Sequence, residues 1–298
     1  MKKFNTPNTS GNRVRVWLLV AVLALTAACS SIRFSYNHGD TLLYWWLNAY
    51  VDLDSDQSGW VKKDIDELFQ WHRKTQLKDY VQILKTGQRQ LNGNLSQADL
   101  MSDYHEVKSR TQLLAFKALP ELADLARSMK PEQLAQMEKK FVKNNEDYRK
   151  KFMKGDLEQR QKARYQKSME QFELWFGSFS SEQQAALRKA SDARPMDNDI
   201  WLDERIRRQK RILTVLRKVQ QEKLSKDATI AQLHGLVKEI FDRFDAPERK
   251  AFFDAFIDGT VQMILTATKI ATPTQKAHAQ KRMQGWIDDF NTLAVDTK

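Results

Sequence analysis

Apolar side chains recur three and four residues apart along nearly the whole chain, and that spacing restricts most of it to helices. Leu100, Tyr104, Val107, Thr111, Leu114 and Ala118 make one such stripe. Val61, Ile65, Leu68 and His72 make another, and similar sets run through Leu134–Phe152, Ile230–Phe244 and Ala279–Leu293. No comparable run alternates with period two between Gly or Asn turns. Gly and Pro number 10 and 6 in 298 residues, under half of ordinary usage, which argues against turn-dense sandwiches and barrels and against disordered linkers. The expected fold class is all-α: a multi-helix antiparallel bundle with long helices and short loops. A single cysteine excludes an intrachain disulfide framework and any multi-cysteine zinc site.

The breaks between stripes share a chemistry. Leu95-Ser96 with Asp99, Met129-Lys130-Pro131 with Gln133, Phe179-Ser180 with Gln183, and Phe244-Asp245 with Glu248 each read as an apolar residue, a cap position and an acceptor three residues on. That is the capping-box pattern. Asn92-Gly93-Asn94, Gly177 and the segment from Arg194 to Asn198 are the clearest turns, and a subdivision near residue 195 is one option for the body.

The N-terminus reads as an address. Lys2, Lys3, Arg13 and Arg15 precede a 13-residue, mostly apolar run, Val16 to Ala28. The run is too short for a membrane-spanning helix of about 20 residues and has the layout of a secretory leader ending in small residues. The lone cysteine, Cys29, follows at once. Leu25-Thr26-Ala27-Ala28-Cys29 resembles a bacterial lipobox, with Thr26 where leucine is usual. The resemblance implies cleavage of residues 1–28, diacylglycerol on the Cys29 sulfur and palmitate or a similar acyl group on its amine. Ser30, rather than Asp, follows the cysteine, which by the same resemblance implies transfer to the outer membrane. The expected organisation is a lipoprotein signal peptide (1–28), a lipid-anchored tether (29–39) and a helical periplasmic domain (40–298). Removing the leader leaves 45 basic against 38 acidic residues. With a periplasmic address that excess points to lipopolysaccharide phosphates, anionic lipids or acidic proteins, and away from nucleic acid.

Thr41 to Val51 (TLLYWWLNAYV) is apolar on nearly every side. It suits a core helix around which others pack; alternatively, Trp45 and Trp46 with Tyr44 and Tyr50 suit an aromatic belt at a membrane surface. Trp71, His72 and Arg73 place an aromatic, an imidazole and a guanidinium together, either as packing residues or as a patch for an anionic group. Arg205 to Lys218 is the densest basic stretch, with Arg207, Arg208 and Arg211 at its centre, either a solvated face paired with acids elsewhere or a surface for anionic lipid. Asp52, Asp54 and Asp56 open like a calcium loop, but Gln57 and Lys63 stand where Gly and a bidentate Glu are needed, so the acids read as favouring a helix N-terminus. The five histidines show no metal-ligand spacing, and no nucleophile motif or phosphate loop is present. No catalytic residue, metal or cofactor is expected.

The string SIRFSYNHGDTLLYWWLNAYVDLDSDQ, followed by WHRKTQLKDY, resembles an uncharacterised Gram-negative lipoprotein family, a domain of unknown function. The resemblance implies a lipid anchor and a helical body and supplies no catalytic residue. Met129–Gln133 and Phe179–Gln183 also resemble degenerate copies of the LTxxQ signature of small periplasmic chaperones, although capping alone produces the same letters. The expected role is therefore an outer-membrane-anchored helical lipoprotein that binds an envelope protein or an anionic glycolipid. The alternatives are a chaperone that holds unfolded clients and an enzyme acting on envelope polymers.

Overall fold

The structure, a computed structural model, describes residues 32–296. Cys29 and the expected leader lie outside them. Twelve α-helices follow in order: α1 (Gly39–Val51), α2 (Ser55–Thr75), α3 (Leu77–Asn92), α4 (Gln97–Lys117), α5 (Leu119–Ser128), α6 (Pro131–Phe152), α7 (Leu157–Phe176), α8 (Ser181–Asp192), α9 (Asn198–Gln221), α10 (Lys226–Phe241), α11 (Pro247–Ile270) and α12 (Pro273–Val295). Residues 32–37, expected within an extended tether, are helical too, with a turn at His38 leading into α1. No strand occurs among the described residues. The fold is all-α with short loops, as the spacing predicts.

The helices begin where local chemistry satisfies their first amides. Asp54, Ser96, Asp156, Ser180 and Thr272 each accept from the amide three residues on, and the residue at that third position returns to the cap. At α6 the cap is Lys130; Gln133 Oε1 accepts from its amide at 2.8 Å, and Pro131 has no amide to satisfy. One expected cap is absent. Asp245 lies in a 3₁₀ turn (Arg243–Asp245), and α11 begins after Ala246 without a side-chain cap. Phe244, the residue before Asp245, packs edge-on to Trp201 and with its ring centroid 4.4 Å from that of Phe253.

Two apolar cores form. The first unites α1, α2, α5, α6, α9 and α10 around residues such as Val51, Ile65, Leu125, Leu134, Leu216 and Leu236. The second joins α3, α7, α8, α11 and α12 around Leu91, Met169, Phe176, Leu187, Met263 and Ala279. Helices from both sides of residue 195 contribute to each core. α3 and α12 run antiparallel, with Tyr80 beside Phe290 at one end and Gln280 donating to the Gln88 carbonyl and to Asn92 at the other.

Helix N-termini meet in pairs within this arrangement. Gln57 of α2 and Gln133 of α6 bond amide to amide at 2.6 Å; Gln57 also donates to the Ser128 carbonyl and Gln133 to the Asp52 carbonyl. Gln183 of α8 and Gln275 of α12 repeat the device, donating to the Ile270 and Ser178 carbonyls at 2.7 Å each. The LTxxQ-like segments each supply one member of such a pair. Their glutamines cap their own helix and tie down the chain entering another.

Candidate functional site

α1 contributes only Val51 to the buried set. One face rests on α2 and α6, and the other is open. Phe34 in the preceding helical turn and Leu42, Trp45 and Trp46 in α1 are 67%, 52%, 63% and 58% exposed. The segment is thus not the enclosed core helix that its all-round apolarity suggests. It lies at the margin of the bundle, where no described residue covers its outer side.

Trp71, His72 and Arg73 stand in the last turns of α2, and His72 and Arg73 hold residues 32–38 to the body. His72 Nδ1 lies 2.8 Å from the Tyr36 hydroxyl, and Arg73 donates to Asn37 Oδ1 at 3.0 Å. The Arg73 guanidinium, buried with its residue only 6% exposed, sits 5.3 Å from the Tyr36 ring. Arg33 adds an ion pair with Asp289 at 2.9 Å. Burial lowers the His72 pKa and pushes the Tyr36 hydroxyl up to about 12, so both are held neutral. Trp71 stands outside this clasp, with Lys117 near its ring.

The basic residues of α9 meet carboxylates. Glu204, only 1% exposed, pairs with Arg207 at 2.8 Å and lies 3.8 Å from Arg208. Arg211 makes a two-pronged bond to Glu239 of α10, and Arg217 pairs with Glu138 of α6. Burial lowers the Arg208 pKa. Two of these acids are far away in sequence, so the charge that looks unopposed along α9 is largely met in the fold. Arg207, Arg208 and Arg211 are therefore brought together with one another but not with Trp45, Trp46 or the clasp.

The residues that sequence reasoning missed lie beside Trp46. A cavity of about 330 Å³ opens between α1, α2, α4 and α5, within the roughly 300–1,000 Å³ range of ligand pockets. Trp46, Leu47, Trp60, Ile65, Leu114 and Leu122 give it apolar walls, and Asp64 and Glu121 stand at its edge, their oxygens adding almost nothing to its surface. Neither acid forms an ion pair or hydrogen bond with a described residue. Burial raises the Asp64 pKa, and Glu121, Glu67 and Asp124 push in the same direction. A signal was present in the sequence: Asp64 interrupts the Val61, Ile65, Leu68 stripe, a poor place for a charge without a purpose. The remaining wall could not be read because α4 and α5 reach it only through tertiary packing.

A family model described as a family of unknown function, DUF6279, matches residues 49–233. That span holds α2 through α9 and both acids of the cavity. No curated protein and no solved structure matches the chain.

Proposed function

The chain belongs to DUF6279, a family without an assigned function, and from that premise we propose that it is a non-enzymatic, lipid-anchored binding protein of the Gram-negative outer membrane. Its body stands in the periplasm and takes an apolar, basic segment of another envelope protein into the cavity beside Trp46. One observation carries this reading: Asp64 and Glu121, neither of which forms an ion pair or hydrogen bond with a described residue, stand at the edge of an apolar cavity. A desolvated carboxylate beside other acids is stabilised by a cation that brings its own apolar stem, which a lysine or arginine within an amphipathic helix provides. An acidic apolar glycolipid would meet repulsion there, and the arginines of α9 are already engaged.

The anchor position supports the same reading. Only Ser30 and Ser31 separate Cys29 from the first described residue, so an acyl-bearing Cys29 would hold the clasped helix within about 10 Å of the bilayer surface. Phe34, Leu42 and Trp45 would then face the headgroup region. Two or more acyl chains make such anchoring stable, at about 0.8 kcal/mol per buried methylene.

Two experiments test the parts separately. Cys29→Ala should release the protein from the outer-membrane fraction; unchanged fractionation refutes the lipid anchor. Photo-crosslinking from position 46 in cells should capture one dominant protein through a basic, apolar segment, and Asp64→Lys should abolish the adduct. A broad set of unfolded outer-membrane proteins would instead establish the chaperone alternative, and an adduct indifferent to Asp64→Lys would refute recognition by the acids.

A further inference from the structure

A second cleft, of about 510 Å³, lies in the other core, between α7, α11 and the turn joining α8 to α9. It shares no residue with the cavity beside Trp46. Phe172, Trp175, Met263 and Ile264 make one side apolar; Arg164, Lys167 and Arg194 make the other side cationic.

The two arginines are built into the fold. Arg194 is 8% exposed and donates to the Ser168 and Ser191 hydroxyls at 3.0 and 3.1 Å. Arg164 donates to the Ser191, Arg194 and Pro195 carbonyls at 2.8 to 3.1 Å, closing the end of α8, while its buried Nε has no partner. Gly259 of α11 makes the arrangement feasible, because a Cβ there would stand 2.9 Å from Arg194 Cγ. Neither guanidinium forms an ion pair with a described residue. Asp192, whose charge acts on both, bonds through Oδ2 to Arg188 at 2.6 Å, and Lys167 at the rim pairs with Glu170 at the same distance. The carbonyls at the end of α8 offset part of the Arg164 charge, but Arg194 has only hydroxyls and one long contact to a carbonyl. Burial and the neighbouring Arg164 lower the Arg194 pKa to about 10. One buried and one half-buried guanidinium beside an apolar wall share the single carboxylate of Asp192 with Arg188, leaving positive charge in excess, and an anion that carried an apolar body would satisfy both sides of the cleft.

We propose that this cleft binds a single-chain amphiphilic anion, its acid group on Arg194 and its alkyl chain along Phe172, Trp175, Met263 and Ile264. A fatty-acid carboxylate and a lipid phosphate monoester share that chemistry. The proposal does not depend on the protein-binding cavity or on the lipid anchor.

The test uses the full chain in zwitterionic nanodiscs with ¹³C-methyl methionine, because Met263 lines the cleft and its methyl reports occupancy there. Decanoate and decyl phosphate serve as anionic probes and decanol as the uncharged one. A saturable shift of the Met263 signal with either anion and not with decanol is expected, and whichever anion binds more tightly identifies the source. Arg194→Gln should weaken binding at least tenfold. Ile264→Trp, which fills the apolar side and keeps both arginines, should abolish it while leaving the helical circular dichroism unchanged. No response of Met263 to either anion, an equal response to decanol, or unaltered affinity in a folded Arg194→Gln protein would overturn the proposal.

Discussion

Gln133 accepts from the Lys130 amide, donates to the Asp52 carbonyl and bonds to Gln57, all while buried. Replacing it with leucine removes the side-chain partner of the Lys130 amide and of the Asp52 carbonyl and takes one bond from Gln57, and Gln133→Leu should cost about 2–4 kcal/mol. Gln136→Ala on the exposed side of the same helix should stay within about 0.5 kcal/mol in parallel denaturant titrations. His72 sets a pH dependence. Its folded pKa lies below the ordinary 6.5 because it is buried, so the unfolded chain binds the proton first as the pH falls. Its contribution to stability is intact above about pH 6.5 and is lost as the pH drops toward the folded value. A midpoint-versus-pH series should show this acid limb, and His72→Gln should flatten it. Tyr36 acts in the opposite range: its hydroxyl, raised to about 12, stabilises the fold below pH 10, a contribution lost as the pH rises through the folded value. The caps at Gln133 and Gln183 were legible because they are local. Their partners Gln57 and Gln275 were not, being 76 and 92 residues away.

At the scale of a helix, the packing of α1 against α2 turns on one glycine. A Cβ on Gly39 would lie 2.6 Å from the Phe69 ring, so Gly39→Ala must displace that ring or part the helices and should destabilise by about 1–3 kcal/mol. Gly59, inside α2, has nothing near its Cβ direction. Gly59→Ala should stabilise by about 0.5–1 kcal/mol through helix propensity alone. Differential scanning calorimetry of the two variants should therefore move the midpoint in opposite directions. Periodicity identified α1 as helical and apolar, yet it could not tell an enclosed helix from one with an open face. That distinction depends on whether a neighbour arrives on the outer side, and among the described residues none does.

Across the whole molecule the two cores interleave the chain. α9 and α10 complete the first core and α11 and α12 the second, while α1, α2, α5 and α6 or α3, α7 and α8 supply the earlier parts. A chain ending at Arg194 would lack a share of both cores, exposing Leu125 and Leu134 on one side and Leu91 and Leu187 on the other. It should lose cooperative unfolding altogether, which a urea titration followed by circular dichroism would reveal; a sharp transition in that fragment would show that the earlier helices form a stable unit alone. The turn at Pro195 is conspicuous in sequence, but it joins elements that pack into different cores.

The sequence by itself determined that the chain is helical, where most helices begin and which stripes they bury, because period and capping depend on residues three or four apart. Only the tertiary structure decided which charges remain free and which apolar faces remain open. Arg217 finds Glu138 across 79 residues, whereas Asp64 and Arg194 form no direct ion pair with a described residue. Such outcomes follow from how helices distant in the chain meet, and local spacing carries no record of those meetings.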